Sequence, residues 1–222
     1  MFGKNKILPP KKNDNGQSLD IVNIFKTIQG EGPFIGMPAI FVRLGGCNLA
    51  CKFCDTQFDE FESAKIDQII DQIQKLSITN NIKTHQLVVI TGGEPLRQNI
   101  APLCQKLIDL SYQVQIETNG TLYQDLPKQT YIVCSPKNND QKSYYAIDQK
   151  LMPKINAFKF LISKYQKGYD FVPKNLNKLV YLQVIDEYDQ KKNHQNNQLA
   201  LKLSQENGYL MTLQAHKIWQ ID

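Results

Sequence analysis

Three of the five cysteines fall in one short run, Gly45-Gly46-Cys47-Asn48-Leu49-Ala50-Cys51-Lys52-Phe53-Cys54-Asp55-Thr56, with the spacing C-x3-C-x2-C. Two glycines just ahead of them let the backbone turn tightly enough to aim several sulfurs inward. The run reads as a metal-ligand loop, and whatever fold the chain adopts has to present it.

The number of sulfurs narrows the metal. A structural zinc site closes a tetrahedron with four protein ligands, and an iron–sulfur cluster used only for electron transfer usually takes four cysteines. The other two, Cys104 and Cys134, each stand alone. A cubane cluster held by three thiolates keeps one iron open, and an open iron can bind a substrate or cofactor. The competing reading at this point is a zinc knuckle completed by a distant His85 or His216.

Composition excludes several classes. With 222 residues, 41% hydrophobic and 21% charged, the chain fits one soluble domain with a proper core. An odd number of clustered cysteines argues against a secreted disulfide framework and for thiols kept reduced. The net charge of +5 comes from 26 basic residues interspersed with 21 acidic ones rather than from a basic stripe, so no nucleic-acid partner is expected. No apolar run approaches the roughly 20 residues that span a bilayer, and the amino terminus is polar and basic. The expectation is a cytoplasmic protein without a membrane partner.

Along the chain, residues 1–19 hold almost nothing to bury and read as a polar extension without chemistry, leaving 20–222 as the single domain. Strands are predicted over Ile21–Ile28 and Ala39–Leu44, the second leading straight into the cysteine loop. Ile66, Ile69, Ile70, Ile73 and Leu76 recur at helical spacing, predicting a helix from near Ser63. Further strands are expected at Leu87–Thr91, Val114–Thr118, Tyr131–Cys134, Ala157–Ile162, Leu179–Val184 and near Tyr209–Leu213, with helices over about Asn99–Leu110 and Gln198–Asn207. This alternation predicts an α/β fold of parallel strands with right-handed crossovers. About six core strands and three or four helices are too few for a closed eight-fold barrel, so a partial, open (β/α) barrel is expected, its chemistry at the carboxyl ends of the strands.

Those predicted ends carry most of the informative polar residues. Gly92-Gly93 frees a strand end for close approach, and Glu94 adds a carboxylate suited to an ammonium group, although Gly-Gly-Glu-Pro also makes a plain turn. Arg43 reads equally as a strand residue facing water or as a guanidinium set to hold a carboxylate. Glu117-Thr118-Asn119-Gly120 and Ser135-Pro136-Lys137 are strand-to-turn caps that also present hydroxyl, amide and ammonium groups. Thr56 offers a hard oxygen that can ligate magnesium when a substrate supplies others. Cys104 and Cys134 read as small core residues, His85 and His194 as solvated, and His216 as structural or functional alike.

Taken in order, Thr27-Ile28-Gln29-Gly30-Glu31-Gly32, Phe41 to Leu49, Cys54-Asp55-Thr56, Thr91-Gly92-Gly93-Glu94-Pro95, Glu117 to Gly120, Ser135-Pro136-Lys137 and Gln214-Ala215-His216-Lys217 resemble the 7-carboxy-7-deazaguanine synthases of the radical S-adenosylmethionine superfamily. The resemblance covers residue 20 to the end. It departs at Leu182-Gln183-Val184, where relatives often read Leu-Gln-Pro, and in the length of the basic segment before Ile21.

The resemblance implies conversion of 6-carboxy-5,6,7,8-tetrahydropterin to 7-carboxy-7-deazaguanine with loss of ammonia, in queuosine and related 7-deazapurine biosynthesis. It implies a [4Fe-4S] cluster on Cys47, Cys51 and Cys54, and S-adenosylmethionine at Gly93, Glu94, Ser135, Pro136 and Lys137, with Mg2+ on Thr56. Substrate contacts would come from Ile28, Gln29, Gly30, Arg43 and Thr91. A 5′-deoxyadenosyl radical would take the hydrogen, so no general base is required for that step. An electron donor such as flavodoxin or ferredoxin, and a homodimer, are expected on the same ground. The rivals are an activase that installs a glycyl radical on a partner protein and a non-enzymatic zinc-binding module.

Overall fold

A long amino-terminal strand, β1 (Ser18–Ile28), turns back on β2 (Pro38–Leu44), and the pairing is antiparallel. The computed structural model describes residues 5–54, 56–139 and 143–221. These divide into two compact units, the first comprising Met1–Ile28, Met37–Thr118 and Leu122–Ile132, the second Gln29–Gly36, Asn119–Thr121 and Val133–Asp222.

In the first unit β3 (Glu62–Lys65) adds antiparallel to the outer side of β1, while β6 (Leu87–Gly92) pairs parallel with β2 and β7 (Gln113–Thr118) parallel with β6. Leu87, Val88, Val89 and Ile90 are all fully buried, the continuous apolar run of a strand covered on both faces. Helix α1 (Ile66–Ser77) buries Ile66, Ile69, Ile70 and Ile73, and α2 (Ala101–Asp109) buries Leu103, Cys104 and Leu107. Helix α1 begins three residues later than its periodicity predicts, because Glu62–Lys65 are taken up as β3. The Gln68 side chain then accepts a hydrogen bond from the Lys65 backbone at the new start (3.0 Å). Two short strands, β4 (Ile78–Thr79) and β5 (Ile82–Lys83), form a hairpin whose central Asn80 and Asn81 both have positive φ.

The second unit holds β9 (Ala157–Ile162) between β10 (Leu179–Val184) and the end of β8 (Tyr131–Cys134), with β11 (Leu210–Thr212) on the far side of β10, all parallel. Helix α3 (Gln190–Asn207) packs on β9, β10 and β11, and a short α4 (Ala215–Trp219) follows β11. Helix α3 is eight residues longer than its sequence pattern predicts. Its first half, Gln190 to Asn197, carries no apolar residue to mark a period. Asp189 caps it instead, accepting from the Lys191 and Lys192 amides (2.9 and 3.0 Å). Its fully buried Asn196 accepts from the Lys164 amide (2.8 Å).

The α/β class and the predominance of parallel pairing match the expectation, and neither unit's run of strands closes on itself. One expectation is corrected. The strand alternation predicts β1 as one of the parallel strands, with Gln29-Gly30-Glu31 at its carboxyl end beside the cysteine loop. In the observed register Ile28 lies beside Pro38, at the start of β2, and Asn23 beside Arg43 near its end. Hairpin closure through a short connection requires this antiparallel sense. Among the described residues no helix is long and apolar enough to cross a membrane.

Two stability effects follow. Arg97 is 5% exposed and its guanidinium donates to Asp20 Oδ2 (2.8 Å) and the Gly45 carbonyl (3.0 Å). Arg97→Met leaves Asp20 short of its buried partner and is expected to cost about 3 kcal/mol in urea unfolding, the low end for a broken buried pair because Lys11 also reaches Asp20. Gly208 closes α3 at φ +70° with open space around it. Gly208→Ala should cost about 1 kcal/mol and Gly208→Asn less, a difference set by backbone conformation alone.

Candidate active site

The cysteine loop leaves β2 at Leu44 and returns to the sheet at β3. Its course is set by backbone contacts at Gly45 and Gly46: Gly45 N–H donates to the Asp20 carbonyl (2.9 Å), and Gly46 N–H to that of Phe58 (2.8 Å). Gly46 has φ +76°, and a side chain there would run into the Arg97 guanidinium. A bulge in β1 gives it one residue more than β2 at Val22, and Val22 packs with Leu49 and Phe58 around the three cysteines.

Cys47 is buried, and Cys51 and Cys54 half-buried, none of them in a disulfide and all in this one apolar cluster. Burial first, and then the nearby charges of Glu94, Cys51 and Cys54, push the Cys47 thiol up to about 12 against the lowering effect of the Leu49 amide. Thiols that raise one another in this way ionise together only when a cation compensates them, and three soft sulfurs in apolar surroundings suit iron. The donor set therefore fits an iron–sulfur cluster.

The end of β6 lies directly against this loop. Gly93 N–H donates to the Leu44 carbonyl (2.8 Å) and Glu94 N–H to the Gly46 carbonyl (3.0 Å). A methyl at Gly93 would overlap the Gly46 carbonyl, and one at Gly92, whose φ is +113°, would strike Leu44. The two glycines are thus what allows the strand end and the loop to touch. Glu94 is buried, and its Oε1 accepts from the Leu96 amide (3.0 Å) and from the Thr118 hydroxyl (2.6 Å), which joins the ends of β6 and β7. Arg43 and Thr91 are direct partners in the parallel register of β2 and β6, and both are half-buried. The Arg43 guanidinium also stacks over Phe25 at 5.2 Å. Ile28 stands five residues from Arg43 along the hairpin, about 16 Å at the rise of a strand. Thr56 is half-buried, and its carbonyl accepts from the Asn5 side chain (2.8 Å); its neighbour Asp55 lies outside the described residues.

The second unit contains its own polar centre. Gln29 is buried and its Oε1 accepts from the Glu31 amide (3.1 Å). Lys159, 5% exposed, donates to Glu31 Oε2 (2.6 Å), and the Gln214 side chain to Oε1 (3.1 Å). Burial pushes the Glu31 carboxyl upward, but the Lys159 ammonium, these two hydrogen bonds and His216 together bring it below the ordinary carboxylate range. The Gly30 carbonyl accepts from the Ala215 amide (3.0 Å), and a side chain at Gly30 would collide with His216. His216, left open by the sequence, therefore packs on Gly30. Ser135 and Pro136 are buried, and the Lys137 ammonium folds back on the Ser135 hydroxyl and carbonyl (both 2.7 Å).

Sequence reasoning missed Asp20, Arg97 and Lys159. A charged residue within a strand or after a Gly-Gly-Glu turn was the available signal, and nothing local distinguishes it from a solvated one. His85, by contrast, bonds to Thr84 beside the β4–β5 hairpin.

Comparison with known proteins agrees with this geometry. Residues 41–133 match the family described as the Radical SAM superfamily. The 7-carboxy-7-deazaguanine synthase of Rickettsia prowazekii (strain Madrid E) is 50% identical, the match covering 100% of this chain and 96% of the relative. The enzyme of the same name from Buchnera aphidicola subsp. Schizaphis graminum (strain Sg) is 31% identical over 90% of this chain and 98% of its own. The crystal structure of QueE from Escherichia coli superposes with a TM-score of 0.73 at 25% identity, covering 90% of this chain and 95% of that one. A likeness that runs the length of the chain at half of its positions, on a strand order that lays a three-cysteine loop against a Gly-Gly-Glu strand end, assigns it: the chain belongs to the 7-carboxy-7-deazaguanine synthase family of radical S-adenosylmethionine enzymes.

Proposed function

We infer that the chain converts 6-carboxy-5,6,7,8-tetrahydropterin to 7-carboxy-7-deazaguanine with release of ammonia. The observation that carries this reading is the contact between the cysteine loop and the end of β6, with Arg43 and Thr91 in register one step before it. Membership of the family brings a [4Fe-4S] cluster and S-adenosylmethionine, a small-molecule substrate and a reductant. When bound, the cluster and S-adenosylmethionine would together supply the radical chemistry that removes hydrogen from the substrate carbon bearing the carboxylate. A glycyl-radical activase has no use for this substrate set, and a zinc module none for an open iron.

In this reading Cys47, Cys51 and Cys54 would hold the cluster. Gly93 presents backbone to the amino group, and Glu94, anchored through Oε1, supplies the complementary carboxylate. Ser135, Pro136 and Lys137 form the second S-adenosylmethionine contact. Arg43 takes the substrate carboxylate and Thr91 stands beside it, while the main chain at Ile28, Gln29 and Gly30 meets the amide-like ring edge. The Thr56 hydroxyl would ligate Mg2+ together with oxygens of the substrate. We further propose a flavodoxin or ferredoxin as donor, a homodimer as the working form, and the cytoplasm, where thiols stay reduced, as the compartment.

Anaerobic reconstitution with iron and sulfide, then dithionite, S-adenosylmethionine, Mg2+ and the carboxytetrahydropterin, should yield 7-carboxy-7-deazaguanine by mass spectrometry, and Cys51→Ala should abolish it. An intact cluster with no 5′-deoxyadenosine formed would sink the reading. Arg43→Met should lower kcat/KM for the pterin on the order of a hundredfold, the loss of a charge-assisted contact to a carboxylate, while the cluster spectrum and S-adenosylmethionine binding stay as in the parent. Equal loss of S-adenosylmethionine binding would reassign Arg43.

A further inference from the structure

Residues 5–16, which composition marks as a polar extension, are bonded along their length to the first unit. The Asn5 amide donates to the Thr56 carbonyl (2.8 Å) and its oxygen accepts from the Phe58 amide (3.3 Å). Lys6 N–H donates to both oxygens of Asp59 (2.8 and 3.0 Å). Next along, Ile7 makes a parallel bridge to Cys47, and Leu8 N–H donates to the Cys47 carbonyl (2.8 Å). The segment therefore touches the cysteine loop at both ends, at the first cysteine and just beyond the last.

The other end of the segment is tethered to the β6–α2 connection. Lys11 N–H donates to the Arg97 carbonyl (2.8 Å), its ammonium pairs with Asp20 (2.7 Å), and Arg97 reaches the Pro9 carbonyl (3.4 Å). Asp14 accepts from the Asn99 amide (2.9 Å), and Gly16 lies so close to Asn99 and Pro102 that a side chain there has no room. Fixing so many residues of a polar segment costs backbone entropy that no apolar burial offsets, so these bonds are what hold it.

We propose that residues 5–16 are a strap that sets the spacing of the cysteine loop, with Asn5 and the Leu8 amide as its positioning groups. A loop of this length without secondary structure samples many shapes unless tied, and a cluster on three cysteines needs one. Cross-linking the two ends of the loop through a four-residue bridge, Asn5 to Leu8, removes that freedom before iron arrives. The inference rests on the reading of the loop as the cluster site.

The test uses the full-length chain with Asn5→Ala and, separately, Leu8→Pro, which deletes the N–H that meets Cys47 while keeping an extended backbone. Ile73→Val, in the core of α1, serves as the control for general destabilisation. Two quantities are read: hydrogen exchange of the loop 47–58 amides in the iron-free protein, and the rate at which the reconstituted protein loses iron to a chelator. Loop exchange and iron loss should each rise roughly tenfold in the strap variants and stay near the parent's in Ile73→Val at a comparable drop in Tm. Parent-like rates in both strap variants, or equal changes in Ile73→Val, overturn the proposal. A parent protein that takes up no cluster overturns the cluster reading instead, and the exchange comparison in the iron-free protein still decides the strap.

Discussion

The first unit is organised around one buried charge pair, Asp20 with Arg97. Arg97 is nearly without solvent, and its three acceptors are the Asp20 carboxylate, the Gly45 carbonyl at the head of the cysteine loop and the Pro9 carbonyl. Asp20 in turn accepts from Lys11, and its backbone carbonyl takes the Gly45 amide and the Gln98 side chain. Strand β1, the loop, the Gly-Gly-Glu connection and the amino-terminal segment all meet at these two residues. A pair of ions removed from water is worth little by itself and much as a constraint, since every group around it must keep its place for the charges to stay solvated by the protein. Gly46 is part of that constraint: its missing side chain is the space the guanidinium occupies.

Close approach through glycine recurs wherever the chemistry is placed. Gly93 admits the Gly46 carbonyl, and Gly30, in the other unit, admits the His216 imidazole. In both cases the residue beside the glycine carries the charge, Glu94 in one and Glu31 in the other. The two carboxylates are handled differently. Glu94 is fixed by an amide and a hydroxyl, whereas Glu31 faces a buried ammonium.

What the sequence made legible follows from the range of the forces involved. Strands of continuous apolar residues, such as Leu87–Ile90, and the stripe of Ile66, Ile69, Ile70 and Ile73 declare themselves locally, because burial selects the side chain at each position. The cysteine spacing and the glycines beside it were legible for the same reason. The antiparallel sense of β1 was not, because its own residues read the same whichever way its neighbour runs. Nor was the bonding of Asn5, whose partners lie more than fifty residues away and are mostly backbone groups common to every residue. The partnership of Lys159 with Glu31 spans 128 positions and leaves no periodic mark at either end.

Helix α3 illustrates a different dependence. It fully buries only Asn196 and Ala200, with Leu199 and Leu203 half-buried beside them, so directional bonds from the Asn193 and Asn196 side chains and its cap hold much of its seat on the sheet. Detaching such a helix uncovers little hydrocarbon and therefore carries a small change in heat capacity. The free energy of that local opening thus curves less with temperature than the opening of α1, which has four isoleucines to expose. Cooling, which weakens apolar burial, therefore loosens the seat of α1 more than that of α3.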